Sequence, residues 1–305
     1  MKASAAVLPE PAVLAPSRLG DYVALTKPRV AVLVLFTVAA GFVLAAGPGV
    51  DLVLLLHTVL GTALVAGGAS ALNQLLERHS DALMRRTENR PLPAGRLQPA
   101  EVWAFGVGLG VIGVAYLALA LRQPCAPLVA AFTFAAYVGV YTPLKRVTTL
   151  NTLVGAVPGA LPPVIGWAAA RGSLGPEAVV LFLILLLWQV PHFLAIAWIY
   201  RDDYARAGLR MLPVVDRDGT LTGRQMVVYA LALVPVSLAP VLQGVAGPVY
   251  LGGAVILGGG FLASAVAFAR ASSTGQARRV LRASLLYLPG LLALLLLDRL
   301  TGMPY

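Results

Sequence analysis

Three oxygen-bearing side chains, Asn73, Glu77 and Asp81, lie four residues apart in the segment ALNQLLERHSD. On an α-helix each step of four residues turns the side chain by about 40° and advances it by about 6 Å, so the three share one stripe. Such a stripe suits a hard cation like Mg²⁺, which binds one or two carboxylates together with substrate phosphates. Arg86 and Arg90 follow closely, and guanidinium groups match phosphate oxygens in geometry and charge. The spacing therefore predicts a catalytic Mg²⁺ site, with these three residues as ligands and the two arginines as substrate contacts.

A second pair of carboxylates follows another apolar run, in the segment WIYRDDYARAG. Asp202 and Asp203 stand at the end of this run, with Tyr204 directly after them. If this pair faces the first stripe, two metal ions can clamp one leaving group and neutralise its developing charge. We therefore expect Asp202 and Asp203 to be catalytic, Asp203 to be a metal ligand and Tyr204 to contact the substrate.

Tyr141 and Lys145 are also four residues apart, in YTPLK, and predict a shared face at the end of a further apolar run. Lys145 can hold a phosphate as a point charge, but a lysine at such a place also serves as an ordinary membrane anchor. The two acidic segments have plain alternatives as well: pairs with nearby arginines at a helix end, and a solvated loop start. Asn73 favours a site, because an amide inside an apolar run needs a polar partner.

The elements that carry these residues are membrane helices. Of 305 residues, 59% are hydrophobic and 12% are charged, whereas soluble domains carry about 25% charged residues. Eight stretches free of charged side chains are long enough to cross a bilayer, once the run 225–269 is divided at its central glycines and proline, and a ninth, 283–297, spans if Arg282 reaches the interface. The predicted fold class is all-α, a polytopic bundle of nine transmembrane helices. Prolines and glycines in the fifth stretch predict a broken helix beside a ligand pocket.

The basic residues give the orientation of this bundle. With nine spans, 20 of the 23 lysines and arginines fall on the side that holds the N-terminus. The positive-inside rule then predicts a cytoplasmic N-terminus and an external C-terminus in the cell (inner) membrane. The same topology explains the net charge of +10 beside a lipid bilayer, so no nucleic-acid partner is expected.

The domain organisation follows from the same pattern. Residues 1–26 carry three prolines and two acids and predict a disordered cytoplasmic tail without a secretion signal. Residues 27–305 are predicted to form a single transmembrane domain. The lone cysteine, Cys125, excludes an internal disulfide framework.

Taken together, these residues resemble the UbiA-type intramembrane prenyltransferase superfamily. Its members have nine membrane helices, an acidic NxxxDxxxD segment after helix 2, a YxxxK segment at helix 4 and an Asp-rich segment after helix 6. The first two segments match at Asn73–Asp81 and Tyr141–Lys145, while the third matches in part, because Tyr200 and Tyr204 stand where the superfamily often has acids. Further strings are similar to the haem-farnesylating family within it: DALMRRTENRPLPAGR, YTPLKRVTTLNTLVGAVPGALPPVIGW, WQVPHF and RDDYARAGLRMLP.

This resemblance implies a farnesyltransferase with Mg²⁺ as cofactor and with farnesyl diphosphate and haem b as substrates. It would convert haem b to haem O and release diphosphate, and a downstream haem A synthase is the expected protein partner. His192, inside an apolar run, is the candidate haem contact, although it could instead bond a neighbouring helix. Two alternatives remain: a related prenyltransferase acting on a quinone or chlorophyll precursor, and a membrane transporter.

Overall fold

A computed structural model of the chain describes residues 17–301, and all regular structure in that range is helical. The helices are Arg18–Leu25 (α1), Pro28–Ala46 (α2), Leu52–Asp81 (α3), Pro99–Leu121 (α4), Cys125–Ala135 (α5), Thr142–Leu144 (α6), Asn151–Ala160 (α7), Pro162–Arg171 (α8), Pro176–Ile199 (α9), Arg201–Arg206 (α10), Leu212–Val215 (α11), Thr220–Leu242 (α12), Pro248–Arg270 (α13) and Thr274–Thr301 (α14). A π-helical segment, Ala136–Tyr141, joins α5 to α6. Within the described residues, nine helical segments are long and apolar enough to span a bilayer. The predicted all-α fold with nine membrane helices is confirmed, and the chain is a multi-pass membrane protein.

Prolines and short polar caps set where the spans begin. Pro28, Pro99 and Pro248 each occupy the first position of a helix, where the missing N–H costs no hydrogen bond. Asp51 caps α3, and its carboxylate accepts hydrogen bonds from the backbone N–H groups of the next turn at 2.9 and 3.0 Å. Most spans start within about five residues of their apolar runs, whereas α14 begins at Thr274, well before the run that follows Arg282.

The segment predicted as a disordered tail departs from that expectation in its final part. Residues 1–16 lie outside the described residues, but Arg18–Leu25 form a helix capped by the hydroxyl of Ser17. The carboxylate of Asp21 is buried and pairs with the Nε of Arg96 at 2.9 Å. Sequence reasoning placed Asp21 in a disordered tail, whereas this residue attaches α1 to the loop between α3 and α4.

Close helix crossings depend on glycine. At Gly41 on α2 and Gly166 on α8, a β-carbon would overlap the backbone of the facing helix. Gly68 on α3 meets the backbone of α4 at Gly106 and Gly110 in the same way. Small residues let helix backbones approach closely, which is how helices associate in lipid, where hydrophobic burial contributes little.

The fifth span is broken, as its prolines and glycines predict. It divides at Leu161 into α7 and α8, with Pro158 inside the first half and Pro162 at the start of the second. Pro158, Gly159 and Pro162 line an apolar cavity between the helices. The freed backbone groups therefore face the interior of the protein rather than lipid.

The length of α3 places its end outside the hydrocarbon. Its 30 residues extend about 45 Å, whereas the apolar layer of a bilayer is about 30 Å thick. The start of α2 and the ends of α3, α6 and α9 lie on one side of the membrane, because spans alternate in direction. The candidate residues are carried by these four ends.

Candidate active site

A polar cavity of about 150 Å³ lies where these four helix ends meet. Its walls carry the three predicted ligands, which are all buried on one stripe of α3 as the spacing predicts. Of the predicted substrate contacts, Arg86, Arg90, Tyr141, Lys145 and Tyr204 line the same cavity. The structure therefore brings together segments that are distant in the sequence, around one small volume at the membrane boundary.

Each member of the α3 stripe meets one basic side chain. The Nζ of Lys27 donates to the Oδ1 of Asn73 at 2.8 Å, and the Nζ of Lys145 donates to the Oε1 of Glu77 at 2.6 Å. The third contact joins the Nη1 of Arg90 to the Oδ2 of Asp81 at 2.7 Å. With Arg86, the cavity holds four basic and two acidic side chains, so an anion is needed to balance its charge.

Asp81 keeps one oxygen without a partner. Its Oδ1 is buried and has no hydrogen-bond partner, although the carboxylate is almost completely enclosed. An unpaired buried carboxylate oxygen is costly, and such an atom in a native site calls for a ligand. The residue is well held, because the hydroxyl of Thr87 donates to its backbone carbonyl at 2.9 Å. The oxygen donors of the stripe thus fit a hard divalent cation.

The π-helical segment orients the amide of Asn73. The Nδ2 of Asn73 donates to the hydroxyl of Thr142 at 3.2 Å, and this hydroxyl donates to the carbonyl of Tyr137 at 2.8 Å. Pro143 lacks the N–H that would continue the α-helical ladder, which favours a local π bulge. The amide oxygen of Asn73 is thereby directed toward the cavity, where Lys27 contacts it.

The two long loops on this side of the bundle close the cavity. Met84, from the loop after α3, packs against Leu209 and Met211, from the loop after α9. Beside them the Nη2 of Arg86 donates to the hydroxyl of Tyr204 at 2.8 Å. Both loops therefore border the same cavity.

The structure does not bring the second acidic pair into the cavity. Asp202 is exposed on α10, and the partly buried Asp203 pairs with Arg206 one turn along the same helix. Tyr204 takes the inward position instead. The chain turns at Tyr200 between α9 and α10, so the sequence spacing did not reveal which side of this short helix faces inward. The expected metal ligation by Asp203 and catalysis by Asp202 thus find no support in the geometry.

His192 lies in a different part of the bundle. Its Nδ1 is 2.8 Å from the hydroxyl of Ser284 on α14, and its ring stacks on Trp188 with centroids 4.8 Å apart. It lines neither the polar cavity nor the apolar one. The geometry supports the alternative left open by the sequence, a hydrogen bond to a neighbouring helix, rather than the haem contact.

Sequence reasoning missed Lys27. This residue has a left-handed backbone, with φ 51° and ψ 61°, which is unusual for a side chain other than glycine or asparagine. Strained backbone of this kind concentrates at functional sites. Burial, together with repulsion from Arg90 and Lys145, lowers the pKa of Lys27 to about 7. The available signal was its position directly before Pro28, at the start of the first span.

Two more groups outside the spans have shifted pKa values. Burial opposes the charge of Lys145, but Tyr141 and Glu77 outweigh it, so the pKa of this ammonium rises. The ammonium also lies 4.5 Å from the centre of the Tyr141 ring, a cation–π contact that accounts for the YxxxK spacing. Burial raises the pKa of Tyr204, so its hydroxyl stays protonated at neutral pH.

An apolar cavity adjoins the polar one. Tyr137 lines both, so one aromatic ring separates a charged compartment from a hydrocarbon-like one. The apolar compartment is enclosed by α2, α3, the segment around α5 and the broken span, with Val34, Ala66 and Phe134 among its walls. The pair of cavities can hold a molecule with an anionic head and a long apolar tail.

Fold and site together define an intramembrane protein with a cavity suited to an amphipathic anion at the mouth of a helical bundle. The sequence model of the UbiA prenyltransferase family matches residues 34–288. The chain belongs to the UbiA prenyltransferase family.

Curated relatives align along nearly the whole chain. A protein named protoheme IX farnesyltransferase from Solibacter usitatus is 50% identical over 288 residues, covering 92% of this chain and 98% of the relative. A protein of the same name from Salinibacter ruber is 49% identical, covering 92% of this chain and 99% of the relative.

Solved structures agree in fold at low identity. A digeranylgeranylglyceryl phosphate synthase is 16% identical with a TM-score of 0.77, covering 93% of this chain and 99% of that one. A UbiA homologue from Archaeoglobus fulgidus, bound to GPP and Mg²⁺, is 17% identical with a TM-score of 0.63, covering 90% of this chain and 99% of that one.

Proposed function

We propose that this chain transfers the farnesyl group of farnesyl diphosphate to a vinyl group of haem b and thereby makes haem O. The proposal is supported by relatives at 42–50% identity that carry the name protoheme IX farnesyltransferase. The identity of the acceptor, haem b, rests on those relatives. The donor is supported by the paired cavities of the chain itself.

The observation that carries the donor site is the unpartnered Oδ1 of Asp81 inside a cavity with excess basic side chains. It supports Mg²⁺ as cofactor, held by Asn73, Glu77 and Asp81, and a solved homologue of the same fold contains Mg²⁺. When bound, Mg²⁺ supplies positive charge to the diphosphate oxygens and so stabilises the leaving group.

The basic side chains of the cavity share the remaining charge of the diphosphate. Lys27, Lys145 and Arg90 now bond the α3 stripe, and each can turn a donor toward the anion that enters the cavity. Fixed positive groups in an enclosed site stabilise developing negative charge with little reorganisation. These basic side chains thereby make the diphosphate a better leaving group than it is in water.

The apolar cavity beyond Tyr137 receives the farnesyl chain. As the bond between C1 and oxygen breaks, its electron pair leaves with the diphosphate, and the allylic cation remains among apolar walls that exclude stray water. The π electrons of the haem vinyl group then form the new carbon–carbon bond. Water adds to the resulting cation and loses a proton, which gives the hydroxyethylfarnesyl group.

The two alternative functions are less well supported. Prenylation of a quinone or chlorophyll precursor needs the same donor site, but the relatives with high identity are named for haem. A transporter needs polar groups near the middle of the membrane. In the described residues the charged cavity lies at one end of the spans instead.

The proposed location is the cell inner membrane, with the N-terminus cytoplasmic and the C-terminus external. The segregation of 20 of the 23 basic residues supports this orientation. The donor cavity then opens to the cytoplasm, where water-soluble diphosphates are found. A haem A synthase that consumes the product remains a prediction from the family resemblance.

The decisive experiment uses the purified full-length protein in lipid with haem b, farnesyl diphosphate and Mg²⁺. We expect a haem product heavier by one farnesyl group and one hydroxyl, together with diphosphate release that stops on chelation and returns with Mg²⁺. A quinone precursor offered in parallel tests the alternative acceptor. Prenylated quinone without farnesylated haem would overturn the proposed acceptor and leave the donor site intact.

A further inference from the structure

Arg86 is held between two tyrosines at the mouth of the polar cavity. Its guanidinium carbon lies 5.2 Å from the ring centre of Tyr200 and 5.0 Å from that of Tyr204. It also donates a hydrogen bond to the hydroxyl of Tyr204 at 2.8 Å. Although Arg86 is an exposed residue on a loop, two rings and one hydrogen bond fix the plane of its charged group.

On the side of the cavity where Arg86 and Tyr204 lie, no carboxylate lines the cavity. Asp203 bonds Arg206, Asp202 points to solvent, and neither lines the cavity. The oxygen ligands for a divalent cation therefore come from the α3 stripe alone.

We propose that this site takes one divalent cation, and that Arg86, positioned by Tyr200 and Tyr204, supplies the second positive charge on the leaving diphosphate. The proposal rests on the proposed function, because it concerns the donor of that reaction. The inference adds two points to the proposed function: the number of metal ions in the site, and a positioning role for the two tyrosines.

Charge balance favours this arrangement. A second Mg²⁺ held by two carboxylates would bring +2 and −2, so its wall would contribute no net charge. Arg86 without a carboxylate contributes +1 at the same side of the cavity. A guanidinium carries five N–H donors, and the bond to Tyr204 uses one of them, which leaves the planar group able to bind phosphate oxygens. The leaving group thus meets positive charge on this wall without a second metal.

The tyrosines suit this role better than they suit metal binding. The hydroxyl of Tyr204 is protonated at neutral pH and accepts the hydrogen bond from Arg86 through a lone pair. Tyr200 is 40% exposed and contributes the face of its ring. A neutral phenol is a poor ligand for Mg²⁺, which prefers carboxylates and phosphates. Both side chains therefore act through Arg86.

The test counts bound metal without any acceptor present. The full-length protein in detergent is titrated with Mn²⁺ in the presence of inorganic pyrophosphate, and bound Mn²⁺ is measured by electron paramagnetic resonance. We expect one Mn²⁺ per chain in the wild type, and still one when Asp202 and Asp203 are both replaced by Asn. Two ions per chain would overturn the proposal. No bound Mn²⁺ would overturn this proposal together with the metal site of the proposed function.

Pyrophosphate affinity tests the part played by Arg86. Arg86→Gln should raise the Kd for pyrophosphate about tenfold to a hundredfold, since it removes charge-assisted hydrogen bonds, and should leave the Mn²⁺ count at one. Tyr204→Phe removes the positioning hydrogen bond alone and should raise the Kd about threefold to tenfold.

The matched control is Arg85→Gln, one residue away on the same loop and outside the cavity lining. It should change the Kd by less than about twofold. An equal loss of affinity in the Arg85 and Arg86 variants would reduce the effect to general surface charge and overturn the assignment. Because no haem enters these measurements, their outcome is independent of whether haem is the acceptor.

Discussion

Replacing Asp81 by Asn tests the free carboxylate oxygen, and the chain offers a closely matched control in Asp21→Asn. Both are buried carboxylates paired with an arginine of the same loop: the side chains are 1% and 4% exposed, and their partners Arg90 and Arg96 are 26% and 29% exposed. The difference lies in the second oxygen. Both oxygens of Asp21 accept from Arg96, at 2.9 and 3.2 Å, whereas the Oδ1 of Asp81 has no partner.

The magnitudes follow from these pairings. In each variant an ion pair becomes a hydrogen bond from a guanidinium to a neutral amide, which should cost about 1–2 kcal/mol of stability. Asp81→Asn also removes a negative charge from the cation site, and loss of one such electrostatic group lowers kcat by about 10²–10³. Asp21→Asn should leave the turnover of the folded protein within about threefold, because its carboxylate lies outside the cavity.

The assay measures diphosphate release and farnesylated haem by the protein in lipid, normalised to the folded fraction from thermal unfolding. Equal turnover in Asp81→Asn and Asp21→Asn would refute the reasoning, because only Asp81 lies in the cavity. A large loss of stability in Asp81→Asn alone would also count against it, since the pairing to Arg90 would then be the dominant role of the residue.

Three further predictions concern the surroundings of the site. Thr142→Val removes the hydroxyl that orients the amide of the α3 stripe, so the apparent Mg²⁺ affinity in diphosphate release should fall about fivefold. Thr58→Val is the control, as its hydroxyl bonds only its own helix, and an equal change in both would contradict the orienting role. Gly166→Ala should lower stability by about 1–3 kcal/mol on thermal unfolding, because its β-carbon meets the backbone of α2. Gly108→Ala, with open space around it, should be neutral or slightly stabilising. Equal stability of the Gly166 and Gly108 variants would contradict the close approach of α2 and α8 at Gly166. Ala66→Phe fills the apolar cavity and should raise KM for farnesyl diphosphate at least about tenfold with unchanged pyrophosphate binding. Weaker binding of both farnesyl diphosphate and pyrophosphate would show that the farnesyl group does not occupy this cavity.

Hydropathy and periodicity were enough to predict most of the fold. In lipid the backbone must satisfy its own hydrogen bonds, so a long apolar run has few choices besides a helix, and nine runs became nine spans in the described residues. The α3 stripe was equally predictable, because a spacing of four fixes one face of a helix. Asn73, Glu77 and Asp81 line the cavity for that reason.

Other parts of the site depend on turns, which periodicity does not describe. Lys27 reaches the cavity from the position just before α2, where its own backbone is left-handed. Tyr204 rather than Asp203 faces inward because the chain turns at Tyr200. His192 was placed by depth in the membrane alone, whereas its partner, Ser284, comes from α14. Each of these outcomes is set by contacts between segments that are distant in the sequence.

The packing of Met84 on Leu209 and Met211 has a consequence for biosynthesis. The acids of α3 leave the ribosome long before the loop after α9 that covers them. A nascent chain that ends ahead of α9 therefore carries the stripe without Tyr204 or its apolar cover, and we expect it to retain diphosphate poorly. We therefore expect the protein to hold diphosphate only after its sixth span has been inserted.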